Sequence, residues 1–141
     1  MTDQINKIFD FIKQKSLGNA LKASTELVKQ NPNSLNINKV HGYVLMICKK
    51  FNESEEIFLN LQKKISDDYD ILNNLGYIYL QEEKFSNAEK YLNKAIEVNP
   101  EGLNAYANMA SLKLKIIKYD EALKHYQKYF ELLNGEQNYK L

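Results

Sequence analysis

An all-α chain built from repeated helix pairs is what this sequence predicts, on three observations. Chain breakers are scarce, with five glycines and two prolines in 141 residues. Apolar residues recur at the spacing of one helix face, at Leu72, Leu75, Gly76 and Tyr79 and again at Ala88, Leu92, Ala95 and Ile96. The pattern also returns every 34 residues. Gly42, Gly76 and Ala110 share one column, Ala20, Ser54, Ala88 and Ala122 a second, and Leu17, Phe51, Phe85 and Tyr119 a third. Pro32 and Pro100 stand two periods apart.

This register divides the chain into 1–34, 35–68, 69–102 and 103–136, with a short tail at 137–141. Within 69–102, a first helix carries the Leu72 face and a second the Ala88 face, and "EEKF" at 82–85 is the turn between them. Pairs end at "NPNS" (31–34) and "NPEG" (99–102), where proline stops a helix. Asp68 and Asp70 in "SDDYD" open a helix, so capping and the favourable field at a helix N-terminus account for them without a metal. Gly76 is the costly residue, since a mid-helix glycine loses about 1 kcal/mol against alanine. Small residues at 76 and 88 offset that cost by letting two helix backbones approach closely.

A 34-residue unit with small residues at its positions 8 and 20, an aromatic at 17 and a proline at 32 resembles the tetratricopeptide repeat. Residues 69–102 carry it most fully, with Leu72, Leu75, Gly76, Tyr79, Ala88, Leu92, Ala95 and Pro100 at the signature positions. The first unit departs with Lys7 and Ile8 where leucine and glycine are usual, and the fourth has Lys113 in place of tyrosine. The resemblance implies a right-handed superhelical solenoid of four helix-turn-helix repeats, whose first helices line a concave groove.

Composition removes several function classes. The net charge of +1 gives no electrostatic case for nucleic acid or an anionic membrane, and all 19 basic residues are lysines, so the guanidinium fork is absent. The apolar run "VHGYVLMIC" (40–48) is too short for a membrane span. A lone Cys48, with charges where a leader would be apolar, fits a reducing cytoplasm. The five glycines form no phosphate loop, and no paired histidines or cysteines form a metal motif. His41 lies in the core column of Leu75 and Met109 and reads as a satisfied, half-buried histidine; His125 reads as a surface or packing residue. No catalytic, cofactor or metal residue is predicted, so the chain is expected not to be an enzyme.

The groove residues follow from the helix faces opposite the Leu72 stripe. They are Asn6 and Phe9 in the first unit, Lys39 and Tyr43 in the second, Asn73, Asn74, Tyr77 and Gln81 in the third, and Asn104, Asn108 and Ser111 in the fourth. One column reads Asn6, Val40, Asn74, Asn108. Asparagine has an acceptor and two donors on a short stem and can pair with both groups of a peptide backbone. The column is similar to the asparagine ladder in the repeat arrays of O-linked N-acetylglucosamine transferases. The set does not reproduce the carboxylate clamp of chaperone-tail binders, because Tyr43, Asn104 and Asn108 stand where asparagine, lysine and arginine are needed.

These residues make a protein–protein interaction scaffold, holding a peptide or partner segment in the groove, the expected function. The alternative is a substrate-recruiting domain of a larger transferase-type enzyme. The last pair motivates that alternative, being apolar at Leu112, Leu114, Ile116, Ile117, Tyr126, Tyr129, Phe130, Leu132 and Leu133, while "QNYKL" is too short to cover it. Either the chain is part of a longer protein or this end self-associates.

Overall fold

The computed structural model describes residues 1–138 of the chain, with the backbone alone described for 136–138. Over that range it consists of eight α-helices and no strand: α1 (Thr2–Lys13), α2 (Leu17–Gln30), α3 (Leu35–Ile47), α4 (Phe51–Lys64), α5 (Tyr69–Gln81), α6 (Phe85–Val98), α7 (Leu103–Lys115) and α8 (Tyr119–Asn138). Helices α3, α5 and α7 begin at intervals of 34 residues, and so do α2, α4, α6 and α8. Tyr139 and Leu141 lie outside the described residues. The chain forms two compact units, Met1–Ile65 and Ser66–Leu141, each of four helices.

In the first unit α1 packs on α2, α2 on α3 and α3 on α4. Ile8, Ala20, Leu27, Ile37, Val40 and Val44 form one buried cluster there, and Phe58 is fully enclosed. Gly42 sits where an added Cβ would come within 3.1 Å of the Phe58 ring. The buried Ser54 hydroxyl donates to the Gly42 carbonyl at 2.7 Å, so the two small-residue columns meet. In the second unit α5 packs on α6 and on α7, and α7 on α8. Gly76 faces α6 more tightly still, since a Cβ there would lie 2.6 Å from Cγ and Cδ2 of Leu92. The expected close approach is therefore present, and it is the buried Leu92 side chain that fills the space.

The short turns inside each pair share one device. Lys15, Lys49, Glu83 and Ile117 all adopt left-handed backbone, with φ of 57°, 60°, 59° and 62°. In each turn two hydrogen bonds close the helix end: Lys49 N–H to the Met46 carbonyl and Lys50 N–H to the Leu45 carbonyl, with the same pattern at 15–16, 83–84 and 117–118. Such a six-to-one closure satisfies carbonyls that a helix end leaves open. The longer turns between pairs use caps. Ser34 accepts from the Ile37 N–H at 3.4 Å, and Asp68 accepts from the Ile71 N–H at 3.0 Å, which gives that aspartate its predicted structural role. Gly102 starts α7 without a side-chain cap and lies under the Tyr69 ring, where any Cβ would clash. The Tyr69 hydroxyl accepts from the Ala105 N–H at 3.0 Å and ties the start of α7 to α5.

Candidate functional site

In the second unit the adjacent α5 and α7 bring seven predicted residues onto two neighbouring helices: Asn73, Asn74, Tyr77 and Gln81 on α5, and Asn104, Asn108 and Ser111 on α7. Their environments differ. Asn74, Tyr77, Asn108 and Ser111 are half-buried, and Gln81 and Asn104 are exposed. Asn73, expected on the open side, is buried, and its Oδ1 accepts a hydrogen bond of 2.9 Å from Asn108 Nδ2. Position 73 lies at the edge of the α5 stripe that faces α7, which the helical period alone assigns to the wrong side. Ser111 donates to the Ala107 carbonyl one turn back at 3.0 Å.

Asn108 is thus anchored by one N–H, and its chemistry leaves an amide oxygen and a second N–H for other partners. Asn74 stands one position on from Asn73 on the same helix. These groups can present donors and acceptors to a peptide backbone. They offer no acid–base pair, and no group of three potential metal ligands occurs among the described residues.

In the first unit the predicted residues are Asn6 and Phe9 on α1, and Lys39 and Tyr43 on α3. The Phe9 and Tyr43 rings meet at a centroid distance of 6.3 Å with a 40° tilt. Phe9 stays 37% exposed and Asn6 is exposed, whereas Val40, in the asparagine column, is buried in the core. The face here is aromatic where α5 and α7 present amides. His41 is half-buried, as its column implied, with Nδ1 3.0 Å from the buried Ser24 hydroxyl, and burial lowers its pKa below the ordinary value. Cys48 directs its thiol to the Leu17 carbonyl at 3.8 Å, away from His41's partner.

A polar cluster escaped the sequence reading. Lys113, at the position where α5 has Tyr79, is buried, and its ammonium pairs with Glu89 of α6 and with Glu121 of α8, the latter at 2.8 Å. Burial alone would lower its pKa, and hydrogen bonds to the two carboxylates carry it above the ordinary lysine value. His125 stands beside this cluster with its ring 6.3 Å from that of Tyr106, and burial and Lys113 lower its pKa. Glu121, one helical turn before His125, was the available sequence signal. Two surface clefts, of about 280 Å³ between α1 and α2 and about 350 Å³ between α3 and α4, contain none of the predicted groove residues.

The family model for the tetratricopeptide repeat matches residues 69–101, the segment that contains Gly76 against Leu92. The third helix pair is a tetratricopeptide repeat. Around this tetratricopeptide repeat the other pairs keep the same helices at the same spacing. Solved structures agree in fold. MamA (residues 41 to the end) from Desulfovibrio magneticus RS-1 aligns with a TM-score of 0.77 at 17% identity, over 94% of this chain and 75% of that one. A second MamA structure, a double mutant from RS-1, aligns with a TM-score of 0.77 at 16% identity, over 96% of this chain and 76% of that one. A further MamA structure aligns with a TM-score of 0.72 at 18% identity, with the same coverage of 96% and 76%. At these identities the likeness is one of fold. A search of curated proteins by sequence found no match. No helix among the described residues is long and apolar enough to cross a membrane.

Proposed function

We propose that this protein is a non-catalytic interaction module in which the exposed faces of α5 and α7 hold an extended segment of a partner protein. The observation that carries the reading is the Asn73–Asn108 hydrogen bond. It fixes one amide of a neighbouring pair while Asn74 and the free side of Asn108 remain at the surface. Amides held in this way recognise backbone groups at low entropic cost, and each bond contributes on the order of 1 kcal/mol net. Tyr77, Asn104 and Ser111 surround them, and in the first unit Phe9 and Tyr43 offer an aromatic surface for apolar side chains. The absence of arginine and the near-neutral charge favour binding that changes little with salt. A cytoplasmic setting fits Cys48, whose thiol pKa is raised by burial.

The test selects binders from a displayed library of extended peptides and measures them against Asn74→Ala with Asn108→Ala. Loss of two backbone bonds should weaken binding about thirtyfold. Asn74→Ala alone should leave stability unchanged or slightly raised, because alanine is the better helix former. Asn108→Ala should cost about 1 kcal/mol by leaving the buried Asn73 oxygen without its donor. Unchanged affinity in a folded double variant would remove the amide reading.

A further inference from the structure

In the first unit, α2 meets α3 through the Ser24 side chain and the Leu17 backbone carbonyl, and Leu21 and Val28 continue the same helix face at the i+4 and i+11 positions from Leu17. Leu17 accepts from Cys48, Ser24 meets His41, and Leu21 and Val28 pack against the cluster containing Ile37, Val40 and Val44. Helix α6 uses the corresponding positions toward α7: Glu89 holds Lys113, and Ile96 packs on the cluster containing Ala105. Three periods along from α2, these positions fall on Tyr119, Leu123, Tyr126 and Phe130 of α8. Tyr119 is 64% exposed, Leu123 57% and Phe130 55%, and Leu114 and Ile117 are exposed beside them. α8 therefore presents an apolar stripe that is open at Tyr119, Leu123 and Phe130 and half-buried at Tyr126, with larger apolar residues than α2 has.

The internal repeat also shows what such a face does not accept. α3 and α7 enter it with buried apolar residues at their third and tenth repeat positions, Ile37 and Val44, and Ala105 and Leu112. On α1 those positions hold the exposed Asp3 and Asp10. Stacking α1 of a second copy on α8 would bury two carboxylates against apolar surface, a prohibitive arrangement. Stacking through α1 is thereby disfavoured.

We propose that α8 pairs with α8 of a second copy in a closed, two-fold, antiparallel contact. Elsewhere among the described residues the exposed large apolar side chains stand singly on their helices, at Met1, Phe9, Leu35 and Val98, so α8 is the chain's helix with a matching stripe. The stripe is self-complementary. Residues 119 and 130, and 123 and 126, are equidistant from the midpoint between 124 and 125, so Tyr119 meets Phe130 of the second copy and Leu123 meets its Tyr126. Such an isologous contact ends at the dimer. At 20 residues α8 is longer than the 14-residue α2, α4 and α6, and the stripe from Tyr119 to Phe130 runs along about 17 Å of it.

Sedimentation of the full chain from low to high micromolar concentration tests this. A monomer–dimer equilibrium without larger species is expected. Leu123→Asp with Phe130→Asp should be monomeric at every concentration, with a thermal melt matching that of the dilute, monomeric parent. In a Cys48→Ser background, Leu123→Cys with Tyr126→Cys should form an interchain disulfide on mild oxidation, whereas Asn19→Cys should not. A monomer at every concentration, mass growing beyond two copies, or no cross-link from the 123/126 pair would overturn the proposal.

Discussion

The third and fourth helix pairs use one scaffold and close it by different chemistry. At repeat position 11, Tyr79 of α5 stacks on Tyr91 with ring centroids 5.4 Å apart, whereas Lys113 of α7 is held between Glu89 and Glu121. At position 8, Gly76 faces a Leu92 too close for any Cβ, whereas α7 carries Ala110, fully buried. At position 15, the left-handed turn is made by Glu83 in one pair and by Ile117 in the other. The third pair is the one that the family model recognises, and it is closed by apolar packing. The fourth closes with ion pairs on one side and leaves an apolar stripe on the other. Helix spacing survives all of these changes, so the pair architecture depends on the summed fit of its columns more than on any single signature residue.

Gly76→Leu breaks that comparison most severely. A Cβ alone would lie 2.6 Å from the buried Leu92, and a leucine adds three more carbons with nowhere to go. The cost should be about 3 kcal/mol or more, at the upper end of overpacking effects. Ala110→Gly, at the same position of the fourth pair, should cost less, about 2 kcal/mol, from helix propensity and a lost buried methyl together. Chemical denaturation of both variants measures the contrast; equal losses would mean that the close approach at Gly76 does not set the pair's geometry.

Ile117 sharpens it. A β-branched residue at φ 62° is strained, and its side chain is 71% exposed, so packing contributes little in return. Ile117→Gly should stabilise the protein by about 1 kcal/mol. Lys49→Gly should give less, since lysine is unbranched at Cβ. A thermal melt that shows Ile117→Gly destabilising would indicate that the side chain has a partner, and the α8 contact proposed above would supply one.

Much of the fold was legible because it rests on a period. Columns at 34-residue spacing located the pairs and the turn between α5 and α6, which occupies 82–84 with Phe85 already in α6, and the acidic residues at 68 and 70 signalled the cap that Asp68 forms. What stayed hidden depends on contacts between elements. The left-handed column at 15, 49, 83 and 117 contains neither glycine nor asparagine, so composition gave no sign of it. Asn73 looked open because α5's own period sets its inner face, while α7 covers a second one. Lys113 was visible as a departure, but its partners lie on two other helices and become neighbours only after folding. For the proposed groove residues, their place on the first helices was legible, whereas the burial of Asn73 and its pairing with Asn108 were not.

The histidines distinguish the pairs by pH, with an effect that vanishes above neutrality. Residues 69–102 contain no histidine, whereas His125 lies in the fourth pair and His41 in the second. Burial lowers both pKa values below the ordinary 6.5, assisted at His125 by Lys113 and opposed there by Glu121 and Glu89, and opposed at His41 by Glu53. Above 6.5 folded and unfolded chains both hold the imidazoles neutral, so the difference contributes nothing. As pH falls from 6.5 toward the lowered folded values, the unfolded chain takes up protons that the folded chain refuses, and stability drops with a slope of at most one proton per histidine. Glu121 acts in a separate, lower window. Its pKa is lowered by the Lys113 hydrogen bond, so its contribution is present above the ordinary carboxylate range and is lost only below it. Urea melts from pH 8 to pH 5 should show the first decline alone. His125→Asn should remove its share of that slope, and His41→Asn the remainder. A profile that stays flat between pH 7 and pH 5 would mean that neither imidazole loses its hydration on folding, and would contradict the burial assigned to His41 and His125.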